Sequence, residues 1–440
     1  MGIVPRPLIP VLALFLLTLV GLFVLVLPFS HREDGFTPFM DALFAATSAT
    51  TTTGLTTQDL STFWAMPGQI TLLILTFIGG LVFLVVASLL LIHAGQRISS
   101  ILQEDTGERP YLGNRTRLGV HIALVVVGIQ FVGFLVLLVS FSLIEPTSDA
   151  LWKAFTMTVL AFNNGGFIGL HGVEGEGALS TDWAALTASG VLVVLGAVGT
   201  IVLLDIGRKR RWSTLSLNTK IVLGMTGIVA VLGAATMLVL EFENPATIGD
   251  LRLGDKVAMS AFEAVAGRVS GLTTIDYAEV EEHTSLFMMG LMFVGGASAS
   301  VAGGIKVNTL MVLMMAILSA AIGRRGASAF KREISFIQIK HAMTLSISMI
   351  GLTILAMMIL TFVERGQGLE FIDLMFETVS AASTAGLSTG LSSDLSGGGK
   401  LLMAAVMFVG RVLPLSLAIY MIGSMSRPRH TYATERVTIG

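Results

Sequence analysis

Four times along this 440-residue chain, a run of small or polar residues leads into a glycine that is followed by a bulky apolar side chain. The segments are Thr51-Thr52-Thr53-Gly54-Leu55, Asn163-Asn164-Gly165-Gly166-Phe167, Arg268-Val269-Ser270-Gly271-Leu272 and Ser383-Thr384-Ala385-Gly386-Leu387. The glycines are separated by 112, 105 and 115 positions, close to a quarter of the chain each time. An aspartate opening an apolar, helix-like run stands 13 to 17 residues before each glycine, at Asp41, Asp149, Asp255 and Asp373. Aspartate suits a helix N-cap, where its carboxylate accepts orphan backbone N–H groups. A repeat that covers the whole chain limits the fold more than any single motif. Each quarter reads as apolar stretch, short helix, glycine loop, apolar stretch.

The apolar stretches are too long and too numerous for a soluble core. They run over Leu8–Phe29, Gln69–Ile92, Leu118–Leu143, Trp183–Ile206, Ile221–Leu240, Ser285–Ile322, Ala342–Val363 and Leu401–Met425. A bilayer crossing needs about 20 apolar residues. Hydrophobic residues form 53% of the chain and charged residues 13%, with a mean hydropathy of +0.83, which excludes a nucleic-acid binder or a secreted enzyme. The first stretch is longer than a signal-peptide core and lacks a cleavage site before His31. Eighteen of the 27 Lys and Arg residues fall at the N-terminus and after the second, fourth, sixth and eighth stretches. The excess of basic residues on that side predicts both termini in the cytoplasm. The chain has no cysteine, which excludes disulfides, thiolate metal sites and cysteine nucleophiles.

The expected fold is therefore an all-α integral membrane protein with eight transmembrane spans, built as four tandem span–pore helix–span repeats around one central pore. The repeats would occupy residues 1–94, 117–207, 219–322 (with a broken second span) and 341–425, with a cytoplasmic tail at 426–440. A helix of about ten residues enters the membrane without crossing it, because ten residues rise only ~15 Å. The backbone that returns from it is not helical, so it must be buried in protein or line water. Four such loops around one axis would aim rings of carbonyl oxygens at a dehydrated cation. The candidate ion-binding residues are Thr52, Thr53 and Gly54; Asn164, Gly165 and Gly166; Val269, Ser270 and Gly271; and Thr384, Ala385 and Gly386.

The segments Phe44-Ala-Ala-Thr-Ser-Ala-Thr-Thr-Thr-Thr-Gly54-Leu, Ala161-Phe-Asn-Asn-Gly-Gly166-Phe, Gly295-Gly-Ala-Ser-Ala-Ser-Val-Ala-Gly-Gly304-Ile-Lys306-Val and Phe408-Val-Gly-Arg411-Val resemble the Trk/Ktr/HKT superfamily of potassium transporters. With no extra spans before the first repeat, the chain is most similar to the Ktr-type membrane subunit. Ser270 and Leu272 in the third loop, and Val-Leu-Pro414 after Arg411, depart from the family pattern. The resemblance implies potassium uptake, often sodium-dependent, with K+ carried at the four loops, Na+ as coupling or activating ion and no covalently bound cofactor. It also implies a homodimer in the bacterial cytoplasmic membrane, seated on a ring of nucleotide-binding regulatory subunits that bind ATP/ADP or NAD, with no nucleic-acid partner. The alternative within the superfamily is a sodium-selective or poorly selective monovalent cation channel or transporter.

Further features carry two readings each. The small residues Gly295, Gly296, Ala297, Ser298, Ala299, Ser300, Val301, Ala302, Gly303 and Gly304 break an over-long span. In the family such a run is an intramembrane gate below the filter, with Lys306 beside it; otherwise it is a close helix contact. Arg411, ten residues into the last span, faces the pore and belongs with the gate, or else snorkels to a membrane edge. Glu263 and Glu377 pack behind the loops and hydrogen-bond their backbone, with Arg268 as a partner, or else ligate a coupling ion. Arg208-Lys209-Arg210-Arg211 with Trp212 meets anionic lipid or an acidic partner, or only enforces topology. Spans almost free of paired carboxylates, His–Glu motifs or Ser/His pairs argue against an intramembrane enzyme. Parallel rather than inverted repeats argue against an organic-solute transporter.

Overall fold

The computed structural model describes residues 8–102, 115–143, 146–167, 182–324, 326–330 and 332–423. The tail at 426–440 and the cationic residues Arg6, Arg109, Arg325, Lys331, Arg427, Arg429 and Arg436 lie outside the described residues. The first quarter holds α1 (Leu8–Val26), α2 (Phe39–Thr50) and α3 (Met66–Leu102), and the second holds α4 (Arg115–Ser142), α5 (Thr147–Asn163), α6 (Trp183–Val198) and α7 (Thr200–Lys209). The third quarter holds α8 (Leu217–Leu240), α9 (Leu253–Phe262), α10 (Glu282–Phe293) and α11 (Val307–Ala321), and the fourth holds α12 (Phe336–Val363), α13 (Phe371–Ser383) and α14 (Gly397–Gly423). Two three-residue strands, β1 (Ala327–Ala329) and β2 (Arg332–Ile334), pair antiparallel between the third and fourth quarters.

Among the described residues five helices are long and apolar enough to cross a bilayer, six if the bent pair α6–α7 is one span. Their apolar side chains face outward as well as inward: Leu124, Phe131 and Val139 of α4 are exposed, as are Val231 and Val239 of α8. A helix that is apolar all round suits a lipid solvent.

The short helices differ. On α2 nine of the twelve residues are buried, and α5 and α13 are buried over most of their length. Each short helix is held on two sides. Within its own quarter, α2 packs on α1 and α3, α5 on α4 and α6, α9 on α8, and α13 on α12 and α14. From the neighbouring quarter, α14 packs on α2, α3 on α5, α6 on α9, and α10 on α13. The order of these contacts closes a cycle through the four quarters.

Two sequence expectations are corrected here. The aspartates Asp41, Asp149, Asp255 and Asp373 do not cap their helices; each stands at the third helical position, and no side-chain cap bond is made. Two of them instead clasp the preceding quarter in the cycle. Lys400 pairs with Asp41 at 2.8 Å, and Trp183 Nε1 donates to Asp255 Oδ1 at 3.0 Å. The stretch 183–206 is also not one straight helix. It bends by 97° between α6 and α7, at Gly199 with φ +84°.

Candidate functional site

The C-terminal ends of the short helices meet at the four glycines. A Cβ added to Gly54 would collide with the backbone of Gly166, and one on Gly166 would lie 2.6 Å from Gly271 Cα. A Cβ on Gly271 would lie 2.6 Å from the carbonyl carbon of Gly386, and one on Gly386 would strike Thr53 O. Each loop therefore touches the next, and the last touches the first. The four glycines that repeat along the sequence form a closed ring, and no side chain larger than hydrogen fits inside it.

Local chemistry explains how the chain turns into this ring. Helices α2, α5 and α13 end in a left-handed residue, at Thr52 (φ 54°), Asn164 (φ 53°) and Thr384 (φ 46°). The next N–H then reaches back five residues: Thr53 N to Ser48 O at 2.8 Å, Gly165 N to Leu160 O at 2.9 Å and Ala385 N to Ser380 O at 2.9 Å. This is the Schellman arrangement, which satisfies terminal carbonyls. A left-handed threonine is strained, and such strain persists only where the surroundings enforce it.

The third loop is built differently. Helix α9 continues as one π-helical turn over Glu263–Gly267, and Ser270 N bonds to Ala266 O at 2.8 Å. Neither Val269 nor Ser270 is left-handed. Here a π turn takes the place of the left-handed reversal that ends the other three.

Two buried carboxylates hold the outgoing strands. Glu263 accepts from Thr274 N at 2.7 Å, from the hydroxyls of Thr273 and Thr274 at 3.0 Å, and from Tyr277 OH at 2.9 Å. Glu377 accepts from Ser388 and, at 2.8 Å, from Ser392. Both carboxylates thus pack behind the loops. Arg268 is not their partner: its Nη2 donates to Gly295 O at 3.2 Å.

The ring is electrostatically suited to a cation. Each helix terminus brings about half a negative charge from its macrodipole. The side-chain oxygens of Thr52, Asn164 and Thr384 are buried and have no hydrogen-bond partner among the described residues. Hard oxygen donors of this kind suit alkali and alkaline-earth ions rather than soft metals.

The segment between α10 and α11 is irregular and buried, with Ala297, Ser300, Val301 and Ala302 at 1% exposure or less. It lodges at the bend in the second quarter. Breaking α6 leaves terminal carbonyls without helical donors, and the segment supplies them. Ala297 N donates to Ala197 O at 2.8 Å and Val301 N to Gly196 O at 3.2 Å, while Thr200 N donates to Ala299 O at 3.3 Å. The bend thus follows from the insertion of this segment, which periodicity in 183–206 does not reveal. Ala299 is left-handed (φ 60°). Ser298 Oγ bonds with Asn308, and a Cβ on Gly303 would strike Ser383 O and Thr384 Oγ1 at the end of α13.

Two cations clamp the same segment. Lys306 Nζ donates to Ala302 O and, at 3.2 Å, to Gly303 O. Gly296 and Gly304 flank the clamp: Gly296 O accepts from Val307 N at 3.0 Å, and Gly304 takes φ +63°. Arg411, 2% exposed, donates to Val301 O and lies 4.2 Å over the Phe83 ring. It faces the protein interior rather than a membrane edge. Arg210, Arg211 and Trp212 are exposed just after α7.

One fourfold signal was missed in the sequence. Phe77-Ile-Gly79-Gly80, Val194-Leu-Gly196-Ala197, Phe293-Val-Gly295-Gly296 and Phe408-Val-Gly410-Arg411 stand 24 to 30 residues after the ring glycines. A Cβ on Gly79, Gly196 or Gly410 would strike Thr50 O, Phe162 O or Ala382 O respectively. These glycines let the second long helix approach the end of the short helix. In the third quarter Gly295 meets Gly303 O instead, because the chain there is the inserted segment.

The cation transport protein family of TrkH matches residues 23–429. The chain is 32% identical over 417 residues to the Ktr system potassium uptake protein B of Bacillus subtilis, covering 93% of this chain and 91% of that protein. It is 31% identical over 436 residues to the potassium/sodium uptake protein NtpJ of Enterococcus hirae, covering 97% and 95%. The crystal structure of TrkH from Vibrio parahaemolyticus shares the fold, with a TM-score of 0.73 at 17% identity, covering 96% of this chain and 86% of that one. The chain belongs to the TrkH cation transport family, as a Ktr-type membrane subunit of the Trk/Ktr superfamily; it is a transporter and not an enzyme.

Proposed function

We propose that this protein mediates potassium uptake across the bacterial cytoplasmic membrane, through one pore formed by all four quarters of the chain. The ring of Gly54, Gly166, Gly271 and Gly386 is the observation that carries this reading. Thr52, Thr53, Asn164, Gly165, Val269, Ser270, Thr384 and Ala385 complete the filter, where backbone and hydroxyl oxygens replace the hydration shell of K+. The potassium uptake and potassium/sodium uptake relatives support K+ as cargo, and this reading adds Na+ as a coupling or activating ion. In this reading the chain crosses the bilayer eight times with both termini inside, as the basic residues suggest.

The segment Gly296–Gly304, with Lys306 and Arg411, is the gate. It sits beside the end of α13 and is held by hydrogen bonds from both cations. A cytoplasmic nucleotide-binding ring would act on it through α11, which follows it directly. Four quarters in one chain complete a pore, so the homodimer carries two independent pathways.

The test is growth of a potassium-uptake-deficient bacterium at limiting K+, with and without Na+. Rescue that Na+ strengthens is expected. Failure of well-expressed protein to support growth at limiting K+, with sodium uptake instead, would replace K+ by Na+ as cargo.

A further inference from the structure

We propose that Ser48 and Ser380 are positioning residues that fix the direction of two filter carbonyls, those of Thr53 and Ala385, and so set ion discrimination. The inference rests on the filter reading above. Both serines are fully buried inside short helices, six positions before a ring glycine. Gly54 N donates to Ser48 Oγ at 3.0 Å, and Gly386 N donates to Ser380 Oγ at 3.0 Å. In a trans peptide the N–H and the C=O point in opposite directions. Drawing the glycine N–H back toward the helix therefore turns the preceding carbonyl away from it. The geometry agrees at Thr53, whose carbonyl oxygen is the atom that a Cβ on Gly386 would strike across the ring.

The same serines act twice. Ser48 O takes Thr53 N–H at 2.8 Å while its hydroxyl takes the next N–H, and Ser380 does the same for Ala385 and Gly386. Two consecutive N–H groups held by one residue orient two consecutive carbonyls alike. That is the arrangement a carbonyl-lined filter needs, and side-chain identity decides whether it occurs. The matching positions in the second and third quarters are Leu160 and Val265, which have no hydroxyl. The ring is therefore unequal: in two adjacent loops a helix serine holds the glycine N–H, whereas in the third Ser270 Oγ accepts from the later Leu272 N at 3.3 Å instead. A carbonyl freed from its brace can swing aside, and a softer ring discriminates less between ions of different size.

The experiment uses full-length protein in liposomes, as wild type, Ser48→Ala, Ser380→Ala, Ser48→Thr and Ser380→Thr. Rubidium uptake is competed with K+ and with Na+, and the ratio of half-inhibiting Na+ to K+ is read apart from the maximal rate. The alanine variants should lower that ratio about two- to tenfold, the range that one hydrogen bond is worth, and threonine should restore it. An alanine variant that keeps the wild-type ratio, whatever its rate, overturns the proposal. If alanine prevents accumulation, Ser48→Cys and Ser380→Cys keep the volume with a weak acceptor, and the same fall is expected. An unchanged ratio in the cysteine variants, or failure of these to accumulate too, also overturns it, the latter by assigning the bond to folding. A wild-type protein that does not distinguish K+ from Na+ would instead defeat the filter reading itself.

Discussion

Hydrogen is the only side chain the ring tolerates. Gly54 and Gly386 take φ +94° and +92°, where an L side chain is strained, and both face backbone of the next loop. Gly386→Ala and Gly54→Ser must therefore push neighbouring loops apart, and transport by the protein that accumulates should show weakened preference for K+ over Na+. Behind the ring, Glu263 gathers four donors. Replacing it by alanine strands buried hydroxyls and an N–H, each costing about 1–3 kcal/mol. Thermal melting in detergent should fall sharply for Glu263→Ala and less for Glu263→Gln, which keeps an acceptor oxygen. Equal melting of both would remove the anchoring role. The ring glycines were readable from spacing alone, because a position that admits only hydrogen leaves a fixed letter. The acceptors around Glu263 were not, since serine and threonine are common in any polar loop.

At the scale of elements, the inserted segment between α10 and α11 governs the shape of its surroundings. Its excess length and glycines mark the break, since a 38-residue stretch would rise ~57 Å as one helix against a ~30 Å core. The matching bend at Gly199 could not be read, because the apolar pattern of 183–206 continues across it. The aspartates stand three residues past their N-caps for a related reason: Asp41 and Asp255 contact another quarter, which local capping rules do not see. Deleting Ala299–Val301 should raise basal flux and make it less dependent on any cytoplasmic subunit. Arg411→Met should also raise basal flux, by releasing Val301 O while retaining apolar bulk near Phe83. Unchanged basal flux in both folded variants would return the segment to a packing role.

Over the whole molecule, the four quarters close on one another through short-helix contacts and through the Lys400–Asp41 and Trp183–Asp255 clasps. Cyclic order was implied by the repeat spacing, whereas the clasps join residues up to 359 positions apart and leave no local signature. Asp41→Ala removes a largely buried partner and leaves Lys400 without it, so a loss of about 1.5–3 kcal/mol in stability is expected from a charge-assisted bond, read as a lower melting temperature. Because each chain completes its own ring, the proposed homodimer, assembled from one active and one Gly386→Ala protomer, should behave as the sum of its two halves. The most direct measurement is rubidium uptake into liposomes containing such mixed dimers, competed with K+ and Na+. Two superimposed components are predicted, one with wild-type preference for K+ and one with the weakened preference of the variant. A single component of intermediate selectivity would contradict a pore contained within one chain.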